Sequence, residues 1–153
     1  MTAFKVAHAV AEDWAHAVKE CSDRLGRAEG GTMLGFVYVT DMLAEDLASI
    51  LTYLRQKTGV EQWVGTVGLG ICAENVEYFD RPAIVAMLAD LPEDGFCVFP
   101  SVSKGAEQLP EGLRAWVARR SPSLGLIHAD PAHEDLATLI DELAAETAGF
   151  LVG

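Results

Sequence analysis

Basic side chains are scarce in this chain. Eleven lysines and arginines stand against 23 aspartates and glutamates, giving a formal charge of −12 and a sequence pI near 4.6. Nucleic acids and anionic membranes are held by clustered Lys and Arg, so neither is an expected partner. The one basic group, Arg114 with Arg119-Arg120, reads as the C-terminal end of a helix, where the backbone dipole favours cations. Cysteine is sparse too: Cys21, Cys72 and Cys97 are odd in number and far apart. They form neither a disulfide framework nor a CxxC metal site, which points to a reducing, cytoplasmic setting. The four histidines do not fall at ligand spacing near any cysteine, so no metal and no cofactor are assigned. No apolar run approaches the roughly 18 residues of a membrane span. The N-terminal MTAFKVAHAVAEDW carries acids and lacks a continuous apolar core, unlike a signal peptide.

What is present is a large apolar complement. Half of the 153 residues are hydrophobic, which suits one globular domain that buries about two-thirds of its unfolded surface. Glycine is concentrated in WVGTVGLGI, Trp63–Ile71, where Gly65, Gly68 and Gly70 read G-x-x-G-x-G. A dinucleotide fingerprint has the opposite order and opens a helix. Here Cys72-Ala-Glu-Asn-Val-Glu-Tyr-Phe-Asp80 follows, which starts no amphipathic helix and has no Lys-Ser or Lys-Thr pair. Phosphate binding is therefore disfavoured.

The periodicity alternates between helix and strand. Val10, Trp14, Ala17, Val18, Cys21 and Leu25 recur at three- and four-residue steps, predicting a helix over 7–25 ended by Gly26 and Gly30-Gly31. Met33–Thr40 reads as a buried strand. Asp41 then caps or precedes a helix at about 43–57, and Gln62–Cys72 reads as a glycine-rich strand. Pro82–Leu91 and Gly95–Phe99 are expected to be strands joined by the turn Pro92-Glu-Asp-Gly95, read with Pro at its first central position and Gly last, and with a short helix as the alternative at 82–91. A helix at about 110–120, a strand at Leu124–Asp130 and a helix at Glu134–Thr147 complete the pattern, before Phe150-Leu-Val-Gly153.

Residues 34–65 align with residues 124–153. The matches include Leu34/Leu124, Gly35/Gly125, Asp41/Asp130, Leu47/Leu136, Thr58/Thr147 and Gly65/Gly153. Each copy reads strand, Asp-containing turn, helix, strand, glycine, which is a right-handed parallel crossover. On this alignment Gly65 ends a strand and opens no nucleotide loop. The fold class expected is α/β, a mixed sheet with flanking helices built on a duplicated strand–helix–strand unit.

The run GFVYVTDMLAEDLASILTYLRQKTGVEQWVGTVGLGICAENVEYFDRPAIVAMLADLPEDGFCVF, followed by LIHADPAHEDLATLIDELAAETAGFLVG, resembles the N-terminal region of FIST domain proteins, the F-box and intracellular signal transduction sensory modules. The resemblance covers about residues 10–153. It implies a sensory domain that binds a small molecule, an amino acid among the candidates, and no catalysis. It also implies a further C-terminal FIST region, to which nothing in these residues corresponds.

Ligands of open parallel sheets gather at the carboxyl ends of the strands. Asp41 and Asp130 stand there, either as helix N-caps or as carboxylates for a ligand's ammonium group. Gly65, Gly68 and Gly70 either admit a ligand to backbone amides or relieve packing, and the Thr66 hydroxyl is a candidate contact. His128 is a ligand candidate or an ordinary strand residue, and His133 a solvated loop residue. Cys72 and Cys97 read as buried, inert thiols, Tyr78-Phe79 as a core edge or interface. Glu45, Asp46, Glu134, Asp135, Asp141, Glu142 and Glu146 read as a solvated helical face. The leading expectation is a cytoplasmic small-molecule sensory module, with a homo-oligomer or a downstream signalling protein as its macromolecular partner. The alternatives are a hydrolase using Cys72 or His128, and an interaction scaffold. The second copy ends at FLVG where the first continues into further strands, so the expected domain is truncated at its C-terminal end, with an apolar sheet edge that needs covering.

Overall fold

The computed structural model describes residues 4–28, 31–147 and 149–153, Thr32 by its backbone alone. They form two compact units, Met1–Phe96 and Cys97–Gly153. The elements of the first are β1 (Phe4–Val10), α1 (Trp14–Leu25), β2 (Thr32–Thr40), a 3-10 turn (Asp41–Asp46), α2 (Leu47–Thr58), β3 (Gln62–Gly68), β4 (Gly70–Ala73), β5 (Val76–Phe79) and β6 (Ala83–Leu91).

The sheet order is β1-β6-β2-β3. Strand β6 runs antiparallel to both β1 and β2, and β3 runs parallel to β2. This is the mixed α/β sheet expected. One face, with Ala7, Val37, Val39, Ile84 and Leu88, packs against Val18, Cys21 and Leu25 of α1 and Ile50 and Leu54 of α2. The Cys21 thiol donates to the Ala7 carbonyl at 3.4 Å, and burial pushes its pKa up to about 12. It is a core residue and no nucleophile.

Several boundaries differ from the sequence expectation. The predicted helix over 7–25 is a strand followed by a helix. Ala7 and Ala9 alternate into the core from β1, while the Asp13 carboxylate accepts from the His16 N–H (2.9 Å) and fixes the start of α1. The three- and four-residue spacing of alanines and valines ran through both elements without distinguishing them. Gly26 ends α1 as expected; Gly30 lies outside the described residues. The predicted strand at 62–72 breaks at Leu69, where the chain turns into the β4–β5 hairpin. Its turn, Glu74-Asn75, has both residues at positive φ (49° and 70°), which gives two-residue hairpins the required twist. Of the strand expected at 82–91, Ala83–Leu91 forms β6, but Gly95–Phe99 is not a strand. The turn before it closes through Gly95 N–H to the Pro92 carbonyl at 2.8 Å, which makes Pro92 its first residue instead of its first central one.

The second unit holds a 3-10 turn at Ala106–Gln108, α3 (Glu111–Arg120), β7 (Leu124–Leu126), α4 (Leu136–Thr147) and β8 (Phe150–Val152). Its core is Ala106, Leu109, Leu113, Leu139 and Leu143, with Cys97 packed against it. The expected strand 124–130 is three residues long. Strands β7 and β8 pair in parallel, as β2 and β3 do. The two parallel pairs share a contact: a Cβ on Gly65 would collide with the Val37 carbonyl, and one on Gly153 with the Ile127 carbonyl. Val37 and Ile127 occupy the same place, three residues after Leu34 and Leu124.

The acids read as a solvated helical face are exposed except for the half-buried Asp46, although Glu134 and Asp135 stand before α4, and two of them also make hydrogen bonds within the second unit. Glu142 accepts from the Ala106 N–H (2.9 Å), and Glu146 pairs with Arg114 (3.2 Å). Arg114 also donates to the Ala106 carbonyl, leaving Arg119 and Arg120 as the cations of the last turn of α3. His133 is a partly exposed loop residue with its Nε2 on the Ser103 carbonyl at 2.9 Å.

Candidate functional site

Three distant stretches of the first unit meet at the carboxyl ends of β2 and β3. The β2–β3 register ends with Thr40 opposite Gly68. The Thr40 side chain, fully buried, donates to the Arg81 carbonyl (2.7 Å) and accepts from the Ala83 N–H (3.0 Å). One hydroxyl therefore ties the end of β2 to the start of β6. Asp41 follows directly and is exposed, and Leu69 follows Gly68 and is 80% exposed.

Asp41 is not a cap of α2. It opens the 3-10 turn, and α2 starts only at Leu47. The residue in the N-cap position of that turn is Thr40, whose side chain is already committed to β6. The Asp41 carboxylate thus lies in the first turn of a short helix, at the mouth of a parallel strand pair.

Each glycine here meets a packing demand. A Cβ on Gly65 would enter the backbone of β2, one on Gly68 would lie 2.8 Å from the Gly70 carbonyl, and one on Gly70 would enter the Phe79 ring. Thr66 lies opposite Tyr38 on the sheet face turned away from the helices. Burial holds the Tyr38 phenol above its ordinary pKa.

Sequence reasoning missed the neighbouring polar group on that face. His8, Val85, Tyr38 and Thr66 form one row across the four strands. The β4–β5 hairpin lies over this row, with Ile71 and Tyr78 packed on Val85 and Tyr38. The His8 Nδ1 meets the Tyr78 hydroxyl, and its Nε2 lies 3.4 Å from a Glu74 carboxylate oxygen. Alternation of small residues around His8 in KVAHAVA could have placed it on a strand face; its partners, some 70 residues away, leave no local mark.

His128 and Asp130 belong to the second unit, just past β7. His128 is half-buried, and burial lowers its pKa. The Asp130 Oδ1 accepts from the Ala132 N–H at 2.9 Å, forming a side-chain turn before α4 in place of a helix cap. Cys72, expected to be buried, is exposed on β4 opposite Glu77, because its neighbour Ile71 takes the hairpin face that packs on the sheet. Among the described residues no group of three or more His, Cys, Asp or Glu side chains could hold a metal ion, and no helix is long and apolar enough to cross a membrane.

The model of the FIST N domain family matches residues 33–153, beginning inside β2 and running to the end of the second unit. No curated protein and no solved structure matches the chain.

Proposed function

The chain belongs to the FIST N domain family, a family of signal transduction sensory domains, and from that membership we propose that it is a small-molecule sensor whose ligand carries an ammonium group, as an amino acid does. The observation that carries this reading is the corner where Thr40, Asp41 and Gly68 meet. An exposed carboxylate stands there at the carboxyl end of a parallel strand pair, the end at which open α/β sheets take their ligands. Asp41 supplies the counter-charge for the ammonium. Thr66 adds a hydroxyl, while Gly65, Gly68 and Gly70 keep the strand thin and its backbone within reach. In the second unit His128 and Asp130 hold the corresponding position after β7 and form the second polar cluster of the same kind. The sensor works in the cytoplasm and passes its signal to a downstream protein.

A thermal-shift screen against amino acids and small carboxylates tests this. A ligand at a hundredfold excess over its Kd stabilises the folded state by about 2.7 kcal/mol. Asp41→Asn removes the charge from an exposed side chain and should abolish the shift while leaving the unliganded midpoint unchanged. Asp130→Asn keeps an oxygen for the Ala132 N–H and separates the second cluster from the first. Unchanged ligand affinity in Asp41→Asn removes that residue from the site.

A further inference from the structure

The corner around Thr40 also exposes three large apolar side chains of the first unit; a fourth, Phe4, stands on β1 opposite Ala89, towards the other end of β6. Leu69 is 80% exposed, Phe79 58% and Met42 56%. The backbone brings them together. Gly68 pairs with Thr40, two residues before Met42; Leu69 adjoins Gly70, which pairs with Phe79; and Thr40 binds the Arg81 carbonyl, two residues after Phe79. The Phe79 ring lies over Gly70 on the outer face of the hairpin, beside Glu77. Isolated exposed apolar residues are common, but three large ones from separate segments at one corner mark an interaction surface.

Its rim is predominantly acidic. The 3-10 turn contributes Asp41 and Glu45, the hairpin Glu77, and the residue after it Asp80, all exposed; neither segment holds a cation, and Arg81 next to Asp80 is the cation beside them. We propose that this corner docks a partner protein through a segment with apolar side chains flanked by lysines and arginines. The rim decides against other occupants. A second copy joined about a two-fold axis would set this patch against itself, with acid facing acid. Anionic membranes and nucleic acids are repelled for the same reason. Only a basic surround satisfies the rim while the apolar centre is covered. The proposal goes beyond ligand sensing and does not need a ligand, although the patch adjoins Asp41 and an occupied site would alter it.

The test uses the 153-residue chain and a fluorescent 18-residue amphipathic peptide of leucine and lysine, with a leucine–glutamate peptide as its charge-reversed twin. Fluorescence anisotropy should show binding of the lysine peptide only, weakening as salt is raised. Leu69→Gln with Met42→Gln should raise Kd at least tenfold. Both side chains are exposed, so the double variant should keep the wild-type thermal midpoint, and Glu45→Gln with Glu77→Gln should weaken binding similarly. Asp141→Asn with Glu134→Gln, neutralised on and before α4, should leave Kd unchanged. Equal binding by the apolar double variant, or an equal loss in the α4 control, would reduce the effect to net charge and overturn the proposal. Self-association in sedimentation that Leu69→Gln abolishes would assign the surface to a second copy instead. Binding to phosphatidylserine vesicles lost in the same variant would assign it to a membrane.

Discussion

Thr40→Val is the sharpest test of how the candidate corner is held. Valine matches threonine in shape and favours strands, so the packing of this fully buried position is retained. What it removes is the hydroxyl that donates to the Arg81 carbonyl and accepts from the Ala83 N–H. Arg81 is exposed, and its carbonyl can turn to water. Ala83 is fully buried, and its N–H loses its partner outright. A buried donor left unsatisfied costs about 1–3 kcal/mol, so about 2 kcal/mol is expected. That corresponds to a fall of about 4–8 °C in Tm for a chain of this length. Thr40→Ser keeps both hydrogen bonds and gives up one methyl, about 1 kcal/mol. Thr40→Ala loses both contributions and should fall furthest, by about 3 kcal/mol. Urea unfolding followed by tryptophan fluorescence reads the order, since Trp63 is buried in the same unit. A Thr40→Val protein as stable as wild type, or less costly than Thr40→Ser, would refute the hydroxyl's bridging role.

Gly65→Ala should cost about 3 kcal/mol, the upper end for overpacking, because its Cβ meets the backbone of β2 and not a movable side chain. Gly112→Ala, in the first turn of α3 with open space around it, should instead gain up to about 0.5 kcal/mol by helix propensity; a Gly65→Ala urea midpoint at or above that of wild type would contradict the strand contact. The second unit should weaken in mild acid through His128. Burial lowers its folded pKa below the ordinary 6.5, so the unfolded chain binds the extra proton and stability is lost as pH falls from about 6.5 towards the folded value. In His128→Gln the pH dependence of unfolding across that interval, followed by circular dichroism, should flatten; an unchanged slope would place the titration elsewhere.

Elements whose apolar period matched their partner were legible. Strand β2, with MLGFVYVT, and α2, with its stripe of Leu47, Ile50, Leu51 and Leu54, bury the faces that their spacing predicts. The parallel pairing of β2 with β3 and of β7 with β8 followed from strand–helix–strand order. Strand β1 was not legible. Its core-facing residues are alanines, whose small size gives an alternating pattern little amplitude, and α1 extended a helical period backwards over them. The break at Leu69 was hidden for a different reason. The chain stays extended on both sides of it, so Gln62–Cys72 reads as one strand, and only the pairing of β4 with β5 shows that direction changes.

The candidate corner was half legible, and the division has a physical cause. Asp41, Gly68 and Gly70 were found because a carboxylate after a strand and glycines within one are local signals. Thr40 was overlooked because a threonine at a strand end is ordinary until its hydroxyl is seen to reach 41 residues along the chain. Tyr78-Phe79 was read as a core edge or interface, and the fold divides the pair, burying Tyr78 and exposing Phe79; Leu69 stood inside the glycine-rich strand and Met42 was not singled out, since a sequence does not say which members of a run the fold turns outward. The glycines connect the two halves. Gly65 lets β3 approach β2, and Gly70 makes room for the Phe79 ring. Glycines for which ligand access and packing relief stood as alternatives thus meet packing demands beside the exposed apolar side chains and the exposed carboxylate. A ligand drawn to Asp41 would touch the segment that carries Leu69, and that adjacency is the physical route by which occupancy of one surface can change the affinity of the other.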